Sequence, residues 1–147
     1  MAAPTYTWKF VKDLWGDRIP KVVTLEASSG LETKVGTLVI MSGGQVDEAT
    51  ATVAAGVIGL AAEATSAAAT AADPIKVAII APGMVIRGTA DADASSLAGF
   101  NGKAADVNTN GSLDVGDGTG GCLSVLRVNN SAGTEVDCVI TKSAMLS

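Results

Sequence analysis

Gly36-Thr-Leu-Val-Ile-Met (36–41), Gly56-Val-Ile-Gly-Leu-Ala-Ala-Glu (56–63), Ile75-Lys-Val-Ala-Ile-Ile (75–80) and Met84-Val-Ile-Arg-Gly (84–88) are four short apolar runs in the middle of a 147-residue chain. Each has the length of a strand. Val and Ile dominate them, and β-branched side chains pack well on a pleated surface. Between the runs stand Ser42-Gly-Gly, Asp73-Pro74 and Ala81-Pro-Gly, all residues that turn a chain. The pattern predicts a small antiparallel sheet made of these four runs, with the remainder attached to it.

Outward from this centre the same signals continue. Gly121–Val128 and Glu135–Thr141 predict a hairpin, turning through Asn129-Asn-Ser-Ala-Gly133. Residues 22–35 read as one strand followed by a turn. Asp47–Ala55 is expected to be a loop or a single helical turn. Ala61–Asp73 is expected to be loop with at most one turn of helix, since its alanines favour helix but no apolar stripe runs along it. Asp91-Ala-Asp93-Ala-Ser95-Ser96 ahead of Leu97 predicts one short helix capped by Asp or Ser. No repeat or linker divides the chain, which reads as one mostly β domain large enough to bury its own core.

Composition narrows the function. The chain carries 10 basic and 15 acidic residues, a net charge of −5, and no histidine. The acidic balance argues against a nucleic-acid partner, which would need a basic patch to neutralise phosphates. Lacking histidine, the chain lacks the commonest general base and transition-metal ligand. Val53–Ala72 is mostly Ala and Gly and includes Glu63, so it is not expected to enter a membrane. No secretory signal is visible, and the expectation is a soluble protein made in a cytoplasm. Cys122 and Cys138 fall on the two strands of the predicted hairpin. A cross-strand disulfide is one reading; a reducing compartment favours two small buried thiols.

Residues 1–21, bracketed by Pro4 and Pro20, stand apart as an N-terminal arm. Tyr6, Trp8, Phe10 and Trp15 are four of the five aromatic residues in the protein. Tyr6-Thr-Trp8-Lys-Phe10 alternates as a strand does. One reading makes these aromatics a partner contact, since large flat side chains dominate interface energetics. The other makes the arm an edge strand that covers one end of the sheet. Both hold if the arm pairs onto a neighbouring subunit.

Asp106-Val-Asn108-Thr-Asn110-Gly111-Ser-Leu113-Asp114-Val-Gly-Asp117 places oxygen ligands at positions 1, 3, 5, 9 and 12 and glycine at position 6, the spacing of an EF-hand-type calcium loop. Asp106, Asn108, Asn110, Asp114 and Asp117 are therefore candidate calcium ligands. The helix that should follow is missing, however, and Asn-Gly equally suits a polar hairpin tip. Paired carboxylates at Asp91/Asp93 and Asp114/Asp117 lie in Gly- and Ala-rich loops. Ser42-Gly-Gly has no histidine to activate its serine, and Gly116–Gly121 lacks the ending of a phosphate loop. No enzyme is expected, and no cofactor.

The arm, Gly36-Thr-Leu-Val-Ile-Met, Ala54-Ala-Gly-Val-Ile-Gly-Leu-Ala, Pro74-Ile-Lys-Val-Ala-Ile-Ile-Ala-Pro-Gly-Met-Val-Ile and a Gly-rich closing hairpin follow one another in an order that resembles the capsid decoration (cement) proteins of tailed bacteriophages, of the lambda head-decoration type. The resemblance covers most of residues 20–142 and rests on layout. It implies a small antiparallel β-sandwich or barrel, β-tulip-like, over residues 22–147, with an extended arm over residues 1–21. It also implies a homotrimer on the outer surface of an expanded head, bound to the major capsid protein, with the arm of Tyr6, Trp8, Phe10 and Trp15 ordering on the capsid. The chain departs from the pattern in its Ala/Thr stretch (61–72) and its calcium-like loop. Two alternatives are another virion structural role, in the tail tube or head–tail joint, and a calcium-dependent binding module built on Asp106–Asp117.

Overall fold

The computed structural model describes residues 3–49, 56–66, 70–99, 103–118 and 121–141. Among these the chain forms eleven strands: β1 (Lys9–Asp13), β2 (Lys21–Glu26), β3 (Leu38–Ser42), β4 (Gln45–Glu48), β5 (Val57–Ala61), β6 (Pro74–Ile79), β7 (Met84–Thr89), β8 (Asp106–Val107), β9 (Leu113–Asp114), β10 (Leu123–Val128) and β11 (Glu135–Ile140). One 3₁₀ turn spans Ser95–Leu97. The fold is mostly β and antiparallel. A four-stranded sheet runs β1-β7-β11-β10, a five-stranded sheet runs β2-β6-β5-β3-β4, and β8-β9 is a short hairpin with two residues in each strand.

The two larger sheets make a sandwich. Leu38, Ile40, Val57 and Leu60 of the five-stranded sheet belong to one buried cluster with Ile86, Val125, Val136, Cys138 and Ile140 of the four-stranded sheet. Each such side chain taken from water contributes about 1.5–3 kcal/mol. The five-stranded sheet is buried on its other face as well, where Val39, Val46, Ile58, Ile75 and Val77 pack with Ala27 and Leu31. Ala27 forms a single parallel bridge with Val46, and Ser28 N donates to the Val46 carbonyl at 2.9 Å. The sheet thus curls back on itself without closing into a barrel.

Several expectations from the sequence change here. The four central runs do not share one sheet: β3, β5 and β6 do, whereas β7 pairs with β1 and β11. The Ala81-Pro-Gly turn carries the chain across the sandwich. Asp47 and Glu48 lie in strand β4, not in a loop, because the tight Gly43-Gly44 turn folds Gln45–Glu48 back onto β3; residues 50–55 lie outside the described residues. The helix at 91–100 is one 3₁₀ turn, where the Asp93 carboxylate accepts from Ser95 N at 3.0 Å and Ser95 Oγ at 2.6 Å. Cys122 and Cys138 are buried thiols. They are not opposite each other, since Cys138 faces Val125 and the Cys122 carbonyl accepts from Thr141 N. Burial first, then the nearby Asp137 charge, pushes the Cys138 thiol pKa up.

The described part of the expected arm, residues 3–21, is not separate from the domain. Lys9–Asp13 is the edge strand β1, paired antiparallel with β7 from Lys9↔Arg87 to Asp13↔Met84. Trp8 is a core residue, 3% exposed. Its backbone N–H donates to the Gly36 carbonyl at 2.8 Å and its indole Nε1 to the Gly111 carbonyl at 2.8 Å. The ring lies so close over Gly88 that a Cβ there would clash with it. The indole therefore plugs the end of the sandwich and ties the first residues to both faces.

Candidate docking surface

β1 ends at Asp13, whose side chain is wholly covered. Its carboxylate accepts from the backbone N–H of Trp15 at 3.1 Å and of Arg18 at 3.2 Å. It also accepts from Arg18 Nε at 2.6 Å and Nη2 at 2.9 Å. The Arg18 hydrogen bond in particular holds the Asp13 pKa down to about 2. Arg18 Nη2 donates in addition to the Pro82 carbonyl at 2.9 Å, and Leu14 N to the Gly83 carbonyl at 2.8 Å. A loop of six residues is thus clamped at both ends onto the β6–β7 turn.

The clamp fixes Trp15. One indole face lies on Gly83, where a Cβ would approach the ring to 2.6 Å, and the Arg18 guanidinium sits 5.6 Å from the ring centroid. The indole nevertheless remains 70% exposed. Holding a Trp in place while leaving it in water removes in advance part of the ordering entropy that binding would cost.

Every large apolar side chain exposed among the described residues comes from residues 6–35: Tyr6, Leu14, Trp15, Ile19, Val22 and Val35. Beside them a groove of about 270 Å³ opens between β1 of the four-stranded sheet and β5 and β6 of the five-stranded sheet, lined chiefly by Trp8, Phe10, Pro20, Val35, Leu60 and Ala78. Its lining is almost wholly apolar, which is the character of a surface made to be covered.

The four aromatics singled out from the sequence therefore divide. Tyr6 and Trp15 are exposed, and Phe10 is half-buried against the core and lines the groove. Trp8 is a core residue, 3% exposed, and reaches the surface only as part of the groove wall. Ile19, Val22, Val35 and the Asp13–Arg18 clamp were not foreseen. The only available signal was the polar spacing Asp13…Arg18 around Trp15, which has no meaning until the loop geometry is known.

The calcium candidates form the β8–β9 hairpin and its root. Asp106 stands opposite Asp114, and the Asn108 carbonyl accepts from Gly111 N across the tip. Asn108 Nδ2 donates to Asp91 Oδ2 and to Ser112 Oγ, both at 3.0 Å, while Asn110 Oδ1 accepts from Ser112 N at 3.1 Å and Ser112 Oγ at 2.6 Å. The Asn108 and Asn110 amides are thus engaged with Ser112 of the hairpin and, for Asn108, with Asp91 as well. Burial, a hydrogen bond with Asp117 and the charges of Asp117 and Asp114 raise the Asp106 pKa. Among the described residues no group of three or more acidic or cysteine side chains is placed to hold a metal ion.

A second polar cluster was also unforeseen. Asp137 on β11 is fully buried between Arg87 on β7, at 2.7 and 3.1 Å, and Arg127 on β10, at 3.0 Å, with Asn129 Nδ2 at 2.9 Å. Burial pushes its pKa up, but the bonds from Arg87, Arg127 and Asn129 outweigh this and the net shift is downward. The arrangement crosses three strands and serves the sheet. No helix among the described residues is long and apolar enough to cross a membrane. Comparison of the chain with family models, characterised proteins and solved structures gave no match.

Proposed function

We propose that the protein is a structural decoration (cement) protein of a tailed-phage virion, which binds the outer surface of an expanded head as a homotrimer and stabilises contacts between major capsid proteins. The observation that carries this reading is the concentration of exposed apolar residues within residues 6–35, built around an immobilised Trp15. A cement protein needs surfaces that bury area at a seam, and binding the assembled shell but not its free subunits stabilises the shell by mass action. Repetition around a trimer multiplies a modest contact by avidity. The rigid β-sandwich, the net charge of −5 and the absence of histidine suit a scaffold whose role is contact and not catalysis.

The test is co-sedimentation of the purified protein with expanded heads stripped of decoration, taken from the same virion. Wild type should pellet with heads at a fixed stoichiometry and raise the temperature at which they rupture. Trp15→Ala, which leaves Trp8 and the core intact, should lose binding by at least about tenfold. Failure of wild type to bind, or equal binding by the variant, overturns the assignment.

A further inference from the structure

The fixed Trp15 and the apolar groove are two different surfaces of one chain, and Trp15 is not among the residues lining the groove. We propose that they are complementary: Trp15 of one copy inserts into the groove of the next, joining copies head to tail.

Size and polarity fit. The groove offers about 270 Å³ with an almost wholly apolar lining, room for one large side chain. Trp is the largest side chain and, with two χ angles, loses little rotamer freedom on docking. Here it loses less still, because Gly83 beneath it and Arg18 beside it already hold the ring.

Charge selects the occupant. Arg18 beside the indole is neutralised by Asp13, so the exposed Asp17 leaves the knob acidic. The groove has Lys9 in its wall, and exposed Lys34 precedes Val35 at its rim. Among the described residues Lys9, Lys34 and Asp17 make no ion pair within their own chain. A second copy brings Asp17 to this basic rim as its Trp15 enters. Ile19, next to Pro20 in the groove wall, is 77% exposed and extends the apolar contact between the two surfaces.

Because the two surfaces differ, the contact is heterologous. It closes into a ring if the rotation per subunit permits and otherwise grows as a filament. It requires no capsid, so its failure and the failure of the decoration reading are distinguishable.

The experiment is analytical ultracentrifugation of the full chain with concentration-dependent Trp fluorescence. Wild type should form an oligomer at about 100 µM, and its emission should shift to the red on dilution as Trp15 returns to water while Trp8 stays buried. Trp15→Ala (knob removed) and Val35→Glu (an exposed rim position made acidic) should each weaken association by at least about tenfold, with wild-type melting curves. Mixed together, the two variants should give a one-to-one dimer and nothing larger, since one keeps its groove and the other its knob. Asp17→Lys should weaken association, and adding Lys9→Glu should restore part of it. A monomeric wild type, wild-type association by Trp15→Ala, or a mixture that remains monomeric overturns the proposal. Should Trp15→Ala melt early, the emission shift and the charge-reversal pair decide the matter without it.

Discussion

At the scale of single residues, the aromatics show how burial is decided by partners that local sequence does not reveal. Tyr6-Thr-Trp8-Lys-Phe10 reads correctly as extended chain, yet nothing near Trp8 says that its ring will be covered. That follows from Gly88, which has no Cβ to obstruct the indole, and from the Gly111 carbonyl, 103 residues along the chain, which accepts its N–H. Trp8→Ala should cost about 3–5 kcal/mol, measured by urea unfolding, since it opens a cavity and orphans a buried carbonyl. A loss below about 1 kcal/mol would place the ring outside the core. The carboxylates set the acid limit. Asp13 has its pKa lowered from 3.8 to about 2, so its contribution is complete above about pH 4 and lost as pH falls toward 2. Asp137, lowered by its two arginines and Asn129 despite burial, follows the same sign. Melting temperature should fall steeply below about pH 4, and Asp137→Asn should remove part of that slope. The same substitution should cost about 2 kcal/mol at neutral pH, chiefly through the bidentate bond from Arg87.

At the scale of elements, much of the fold was legible because strands announce themselves locally. The β-branched runs and the Gly, Pro and Asn punctuation located β3, β5, β6, β7 and the β10–β11 hairpin close to their observed positions. Sheet membership was not legible, because it depends on pairing between distant segments. β7 follows β6 after a short turn but pairs with β1 and β11. β4, Gln-Val-Asp-Glu, escaped notice because three of its four residues are polar and only Val46 points into the second buried cluster. The calcium-like spacing was legible but does not discriminate: a hairpin tip needs the same Asn-Gly chemistry, and the Asn108 and Asn110 amides bond to Ser112 and, for Asn108, to Asp91. Metal removal gives the corresponding prediction. Excess chelator should leave the melting temperature unchanged, whereas a drop of several degrees restored by calcium would mark Asp106–Asp117 as a binding loop. The first residues give another. Because β1 is integral to its sheet and Trp8 to the core, deleting residues 2–15 should abolish cooperative unfolding, read by circular dichroism; a folded product would restore the picture of a detachable arm.

At the scale of the whole molecule, polarity and exposure are distributed unevenly. The sandwich interior is satisfied on both faces of the five-stranded sheet, and among the described residues no buried side-chain polar atom lacks a partner. The exposed apolar side chains, by contrast, are concentrated in the first quarter of the chain. Sequence alone located this concentration through its aromatics. It could not separate Trp8, which belongs to the monomer, from Trp15, which does not. The placement of Trp8 also bears on synthesis. β1 zips onto β7 and the indole seats against Gly111, so this segment cannot settle fully until the 103 residues that follow Trp8, up to Gly111, have been made. At about 5–20 residues per second that wait lasts roughly 5–20 seconds. Throughout it the Trp8 indole has no core to enter, and this early-made strand is among the last parts of the sandwich to find its place.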